Sequence, residues 1–223
     1  MMFCDRLFEA QHRNQSTLAV GFAPALKKMP YSLQRYDDPL LPYGKAVIDA
    51  TADTACAYVF HLSAYLAYGA SGAIALERTL AYVPPPIIKI LHGPFASGEY
   101  ARAAFEDAFA ADAVTLIPTT ETDLIAAYTQ QPNHAAFVRA DNAPDDLVAA
   151  LQALTARCPG QVGTYRQLAP GQAVLNLLVE PVVEMRWYSV EALCTAQGDD
   201  FREALHQAAA RLRQGPPPRR GSA

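Results

Sequence analysis

The chain has 223 residues, of which 51% are hydrophobic and 18% charged, with a formal net charge of −4. This composition describes one soluble globular domain and excludes disordered, collagen-like and coiled-coil architectures. The acidic balance with dispersed basic residues argues against a nucleic-acid partner, which would need a one-sided Lys/Arg footprint. No apolar run approaches the roughly 20 residues of a membrane span.

Taken in chain order, Met1–Arg13 lacks the apolar run of a signal peptide, which predicts a cytoplasmic protein with no membrane association. Short apolar runs then alternate with Ala-rich amphipathic patterns, as in βα units around a parallel sheet. Strands are predicted at Leu18–Phe22, Ala55–Phe60, Ile87–Leu91, Ala113–Ile117 and Ala135–Arg139. Each is nearly all apolar, as for strands covered on both faces or closed into a barrel. Helices are predicted at Pro42–Asp53, Ala70–Ala81, Gly98–Phe109, Pro144–Arg157 and Asp199–Arg213. Past Gly160 the regularity fades. Gln161–Arg166, Val174–Val179 and Glu184–Ser189 read as strands, but the segment between the last two is too short for a parallel crossover of about a dozen residues. That predicts a hairpin there, or one strand fewer.

The cysteines, Cys4, Cys56, Cys158 and Cys194, show no metal-ligand spacing and read as reduced, mostly buried thiols. No metal site or cofactor motif is visible. Gly215–Ala223, GPPPRRGSA, reads as a disordered tail, which leaves 1–214 as a single domain.

Several stretches resemble the orotidine 5′-monophosphate decarboxylase family, in its longer-chain branch. They are Phe3–Leu7 (FCDRL), Leu18–Pro24 (LAVGFAP), Ala46–Asp53 (AVIDATAD), Ala57–Gly72 (AYVFHLSAYLAYGASG), Ala75–Tyr82 (ALERTLAY), Ala111–Pro118 (ADAVTLIP) and Asp199–Arg213 (DDFREALHQAAARLR). The resemblance implies a cofactor-independent (β/α)₈ TIM barrel, here irregular or truncated in its C-terminal part, and a homodimer.

It also implies a set of charged site positions that this sequence does not carry. The strand-one Asp position is Ala23 and the strand-two Lys position is Val59. The strand-three motif D-x-K-x-x-D, aligned on Gly93, falls on Lys89, Leu91 and Pro94, and no Asp lies between Asp53 and Asp107 to rescue it by a shift. The phosphate-binding Arg position is Val190, and the glycine-rich phosphate loop has no counterpart. Losing these charges removes what would separate transition state from substrate, so orotidylate decarboxylation should be absent.

Among the polar residues left near strand ends, Lys89 and His92 read as an anion-binding or acid–base pair at the barrel mouth, or as groups that simply reach solvent. His61 and Glu99 are further ligand-binding candidates, His61 with the alternative of a satisfied structural histidine. These residues predict a non-catalytic protein of the decarboxylase fold, a scaffold or a subunit of a heteromeric partner. The alternative is a repurposed enzyme acting on a nucleotide- or nucleoside-derived metabolite.

Overall fold

The structure is a computed structural model that describes residues 1–93, 97–119, 121–141 and 145–213. Eight strands close into a barrel in sequence order. They are β1 (Leu18–Phe22), β2 (Ala57–His61), β3 (Ile88–His92), β4 (Ala113–Leu116), β5 (Ala135–Arg139), β6 (Val162–Ala169), β7 (Gln172–Leu177) and β8 (Val183–Ser189). β1 to β6 pair in parallel, β8 returns parallel to β1, and β7 alone runs antiparallel between β6 and β8.

The helices are α1 (Phe3–Asn14), α2 (Leu40–Thr51), α3 (Leu62–Leu66), α4 (Gly69–Tyr82), α5 (Gly98–Arg102), α6 (Thr122–Ala126), α7 (Asp145–Arg157), α8 (Val190–Leu193) and α9 (Phe201–Arg211). The helix expected over Gly98–Phe109 is broken, because after Arg102 the chain widens into a π-helical turn over Ala103–Asp107. The expected hairpin between the last two strands is present. A second one joins β6 to β7 through the two-residue turn Pro170-Gly171, where Gly171 has φ +73° and a proline-glycine pair supplies both special backbone positions.

The irregular C-terminal third is therefore a three-stranded meander that completes the barrel without crossover helices. Its side chains follow from that. Along β7 and β8, Ala173, Leu175, Leu177, Val183, Met185 and Trp187 are buried, whereas Asn176, Glu184 and Tyr188 between them are only half-buried and Arg186 is exposed. One face fills the barrel and the other meets water except at Val174, which is buried, so the strands show most of the period-two alternation of a one-sided sheet. β1, β2, β4 and β5 instead carry apolar side chains on both faces, because helices cover their outer side.

Two apolar cores result. One lies between strands and helices and contains Val20, Phe22, Tyr58, Phe60, Leu91, Val114 and Val138. The other fills the barrel with Ala19, Val59, Ile88, Ile90, Phe137, Leu175 and Met185, and is closed at the strands' N-terminal end by Phe3, Leu7 and Ala10 of α1. Helix α1 is tied there by polar contacts: Arg6 pairs with Asp112 at 2.7 Å, Gln11 Nε2 donates to the Glu184 carbonyl at 2.8 Å, and Asn14 Nδ2 donates to the Ala55 carbonyl at 2.6 Å. With the bottom sealed, the open end is the C-terminal one, where barrel sites assemble.

All four cysteines are unpaired, but only Cys56 is fully buried, and burial pushes its thiol up to about 12. No helix among the described residues is long and apolar enough to cross a membrane. Pro94 and residues 215–223 lie outside the described residues.

Candidate functional site

The strand parity that fills the barrel also decides which residues reach its mouth. On β3, Ile88 and Ile90 face inward and Leu91 faces the helices. His92, at the end of the strand, shares the inward side, and Lys89 shares the outward side with Leu91. Lys89 is also at the wrong level. Its N–H donates to Asp112 Oδ2 and its carbonyl accepts from the Asp112 N–H, both at 2.8 Å, beside the Arg6–Asp112 pair that anchors α1 at the barrel bottom.

The expected Lys89–His92 pair is thus not formed. Lys89 is a bottom, outer-face residue and His92 is a mouth residue. Glu99 is also elsewhere: it is exposed on α5 and lines an outer groove with Arg102, Phe105 and His134. Of the other positions singled out in the sequence, Val59 is fully buried inside the barrel and Leu91 fully buried outside it. Ala23 follows β1 and is half-buried, and Val190 opens α8 and packs into the outer core. Val59 and Leu91 are consumed by the protomer's own cores and are not available to an interface.

His61 and His92 do come together. They end β2 and β3 in register, with ring centroids 4.4 Å apart. Trp187 of β8 packs on both, at 5.1 Å from His61 and 4.9 Å from His92, and Tyr165 of β6 meets His92 edge-on at 5.8 Å. With Arg139, Gln167, Gly171, Gln172 and Ala173 these rings line a cavity of about 130 Å³. The indole fits because β1 has glycine at the facing position: a Cβ on Gly21 would lie 2.0 Å from Trp187 Nε1.

The charge state of this cavity is set by burial. Desolvation lowers the His61 pKa to about 4. His92 falls to about 3, by desolvation first and then by the nearby His61 and Arg139. Both imidazoles are neutral at pH 7. Arg139 is balanced by Asp141 at 2.5 Å, which in turn accepts from the Gln167 N–H at 3.0 Å. That pairing holds Asp141 below the usual carboxylate range.

Thr115 Oγ1 lies 2.8 Å from His92 Nδ1. Thr115 is fully buried and makes no other side-chain hydrogen bond among the described residues, and which of the two groups donates follows the imidazole tautomer. Trp187 Nε1 is buried and has no partner. The indole nitrogen packs against Gly21 inside the barrel, and no three His, Cys, Asp or Glu side chains among the described residues cluster as metal ligands.

The chain is 34% identical over 143 residues to the orotidine 5′-phosphate decarboxylase of Thermomicrobium roseum, covering 62% of this chain and 50% of that protein. It is 36% identical over 135 residues to that of Parabacteroides distasonis, covering 57% and 48%. The chain resembles the orotidine 5′-phosphate decarboxylases. It spans about half the length of the curated relatives it matches. No protein-family model matches it.

Solved structures agree on the fold. The Leishmania donovani OMP decarboxylase superposes with a TM-score of 0.60 at 24% identity, over 74% of this chain and 69% of that one. The Plasmodium berghei orotidine 5′-monophosphate decarboxylase gives 0.56 at 13% identity, over 73% and 75%.

Tyr165, Trp187 and Thr115 complete the site and were not singled out in the sequence. Trp187 had a signal: it is the chain's one tryptophan, at an inward position of an alternating strand.

Proposed function

We propose that this protein keeps the decarboxylase barrel but does not decarboxylate orotidylate, and acts by holding a ligand or a protein partner. The observation that carries this reading is the electrostatics of the mouth. Decarboxylation needs charge placed against the reacting carboxylate and a proton for the carbanion it leaves. At the inward positions of β1 to β3 stand Gly21, Val59, His61, Ile90 and His92, of which only the histidines titrate, and burial keeps both neutral.

The strand-three register supports the same reading. Groups acting on a substrate in the mouth must face inward, so the positions that matter on β3 are Ile88, Ile90 and His92, one residue out of step with Lys89 and Leu91. In either register the motif has no Asp. The β6–β8 meander supplies short turns where the resemblance leads one to look for a phosphate loop and Arg, and Val190 at the arginine position is buried in the outer core.

A homodimer is part of the proposal by resemblance, and so is a role as a subunit beside another protein. The test is loss of orotidylate absorbance in the presence of protein purified from a host that lacks its own decarboxylase. No change above the protein-free rate is expected. Turnover that disappears in H92N would overturn the reading.

A further inference from the structure

We propose that the loop joining β1 to α2 is a docking surface for an acidic segment of a second protein, one that carries aromatic or apolar side chains among its carboxylates. The proposal rests on the part of the functional reading that sets this chain beside another protein, and adds the surface and the chemistry of the partner.

The loop is long and held in place. Residues 23–39 separate the two elements, against the roughly 2–6 residues usual for such a connection, and long ordered loops are commonly functional. The Tyr68 hydroxyl accepts from the Leu26 N–H at 3.2 Å, Gln197 Nε2 donates to the Lys27 and Met29 carbonyls at 2.9 and 3.2 Å, and the Gln197 carbonyl accepts from the Tyr31 N–H at 2.9 Å. The Met29 side chain is buried and anchors the segment. A surface ordered in advance pays little further entropy when a partner binds.

What this ordered loop shows to water is more than a connection needs. Leu26 is 39% exposed, Tyr31 62% and Tyr36 56%. Lys27, Lys28 and Arg35 stand among them, exposed and without an ion pair among the described residues. Asp37 and Asp38 follow, and Asp38 is turned to the start of α2, where its Oδ1 accepts from the Leu40 N–H at 3.3 Å. Tyrosine and arginine are the side chains in which binding energy concentrates at protein interfaces.

Charge selects the occupant. From Leu26 to Tyr36 the loop holds three cations and no acid, in a chain of net charge −4. A second copy docking through the same surface would set these cations against themselves, which opposes association. A nucleic acid would call for a basic domain, and a lipid surface for a cluster of roughly four to eight Lys/Arg. Three cations spaced by a leucine and two tyrosines match carboxylates interleaved with apolar side chains.

The experiment uses the full chain in solution and three immobilised probes: a random glutamate–tyrosine copolymer, a lysine–tyrosine copolymer and polyglutamate. By interferometry the glutamate–tyrosine copolymer should bind saturably, with polyglutamate at least about fivefold weaker and the lysine–tyrosine copolymer not bound. K27E/K28E should weaken binding of the first by at least about tenfold, and Y31S/Y36S by at least about fivefold. R78E/R157E, which reverses two exposed cations on α4 and α7, should change it by less than about twofold.

Absence of saturable binding to the glutamate–tyrosine copolymer overturns the proposal, as does an equal loss in R78E/R157E, or tighter binding to phosphatidylserine vesicles or to heparin. A change of light-scattering mass in K27E/K28E would assign the surface to a second copy of this chain and overturn it too. Orotidylate turnover, which would overturn the functional reading, enters none of these outcomes, so the two can fail separately.

Discussion

Acidification should destabilise this protein through His61 and His92, and the size of the effect can be worked out. Both imidazoles fold with pKa values near 4 and 3, against 6.5 for a free histidine. Between those values the unfolded chain binds protons that the folded chain refuses, so stability rises with pH across that window and falls on acidification. Above pH 6.5 the full contribution is present, and it is lost as pH drops toward the folded pKa values. From pH 7 to pH 5 each histidine accounts for about 2 kcal/mol, together about 4 kcal/mol.

Urea unfolding reads this directly. With an m-value of about 2 kcal/mol/M, the midpoint should drop by about 2 M between pH 7 and pH 5. The double variant H61Q/H92N removes both imidazoles and keeps a hydrogen-bonding group beside the Thr115 hydroxyl. It should lose most of that pH dependence. A wild-type drop under about 0.5 M, or an equal drop in the double variant, would refute buried neutral histidines at the mouth.

Gly21→Ala places a methyl 2.0 Å from Trp187 Nε1; it should cost about 1–3 kcal/mol in urea unfolding and shift the Trp187 emission as the indole is displaced. Asp112→Ala removes the Arg6 partner and the acceptor for the Lys89 N–H; a loss of about 2–4 kcal/mol is expected, with α1 exchanging its amide hydrogens faster. Lys89→Ala should change stability by less than about 0.5 kcal/mol and leave mouth ligands unaffected, since it removes only an outer-face side chain. Light scattering at micromolar concentration should give twice the 24.1 kDa chain mass, and a monomer would refute the homodimer carried over from the resemblance.

How much of this was legible in the sequence depended on burial. β1 and β5 were read with their exact bounds, because helices cover their outer faces and the all-apolar run marks the whole strand. β6 to β8 were harder to bound, since a strand with one wet face shows only alternation, and turns as short as Pro170-Gly171 do not announce whether the neighbours pair. Helix α1 was missed although Phe3, Leu7 and Ala10 mark one helical face. Its remaining buried positions are Gln11 and Asn14, polar side chains that bond to the barrel bottom, so the stripe reads as broken.

At the site, type was easier to read than direction. His61 and His92 sit at the ends of adjacent strands and face inward, as a mouth residue must. Lys89 looked equivalent, but three residues from His92 on a strand means the opposite face. The alignment on Gly93 gave no parity information, and the alternation of Ile88, Ile90 and His92 would have supplied it. The aromatic walls come from β6 and β8, whose pairing with the rest of the barrel depends on the two hairpins and is a long-range property.

The most direct measurement on the central claim is a single-turnover experiment with orotidine 5′-monophosphate labelled with carbon-13 at the carboxylate and protein in excess, from a host without its own decarboxylase. The carboxylate resonance should persist unchanged relative to a protein-free control. Labelled bicarbonate appearing faster than in that control, and no longer doing so in H92N, would contradict the account of a neutral, non-catalytic barrel mouth.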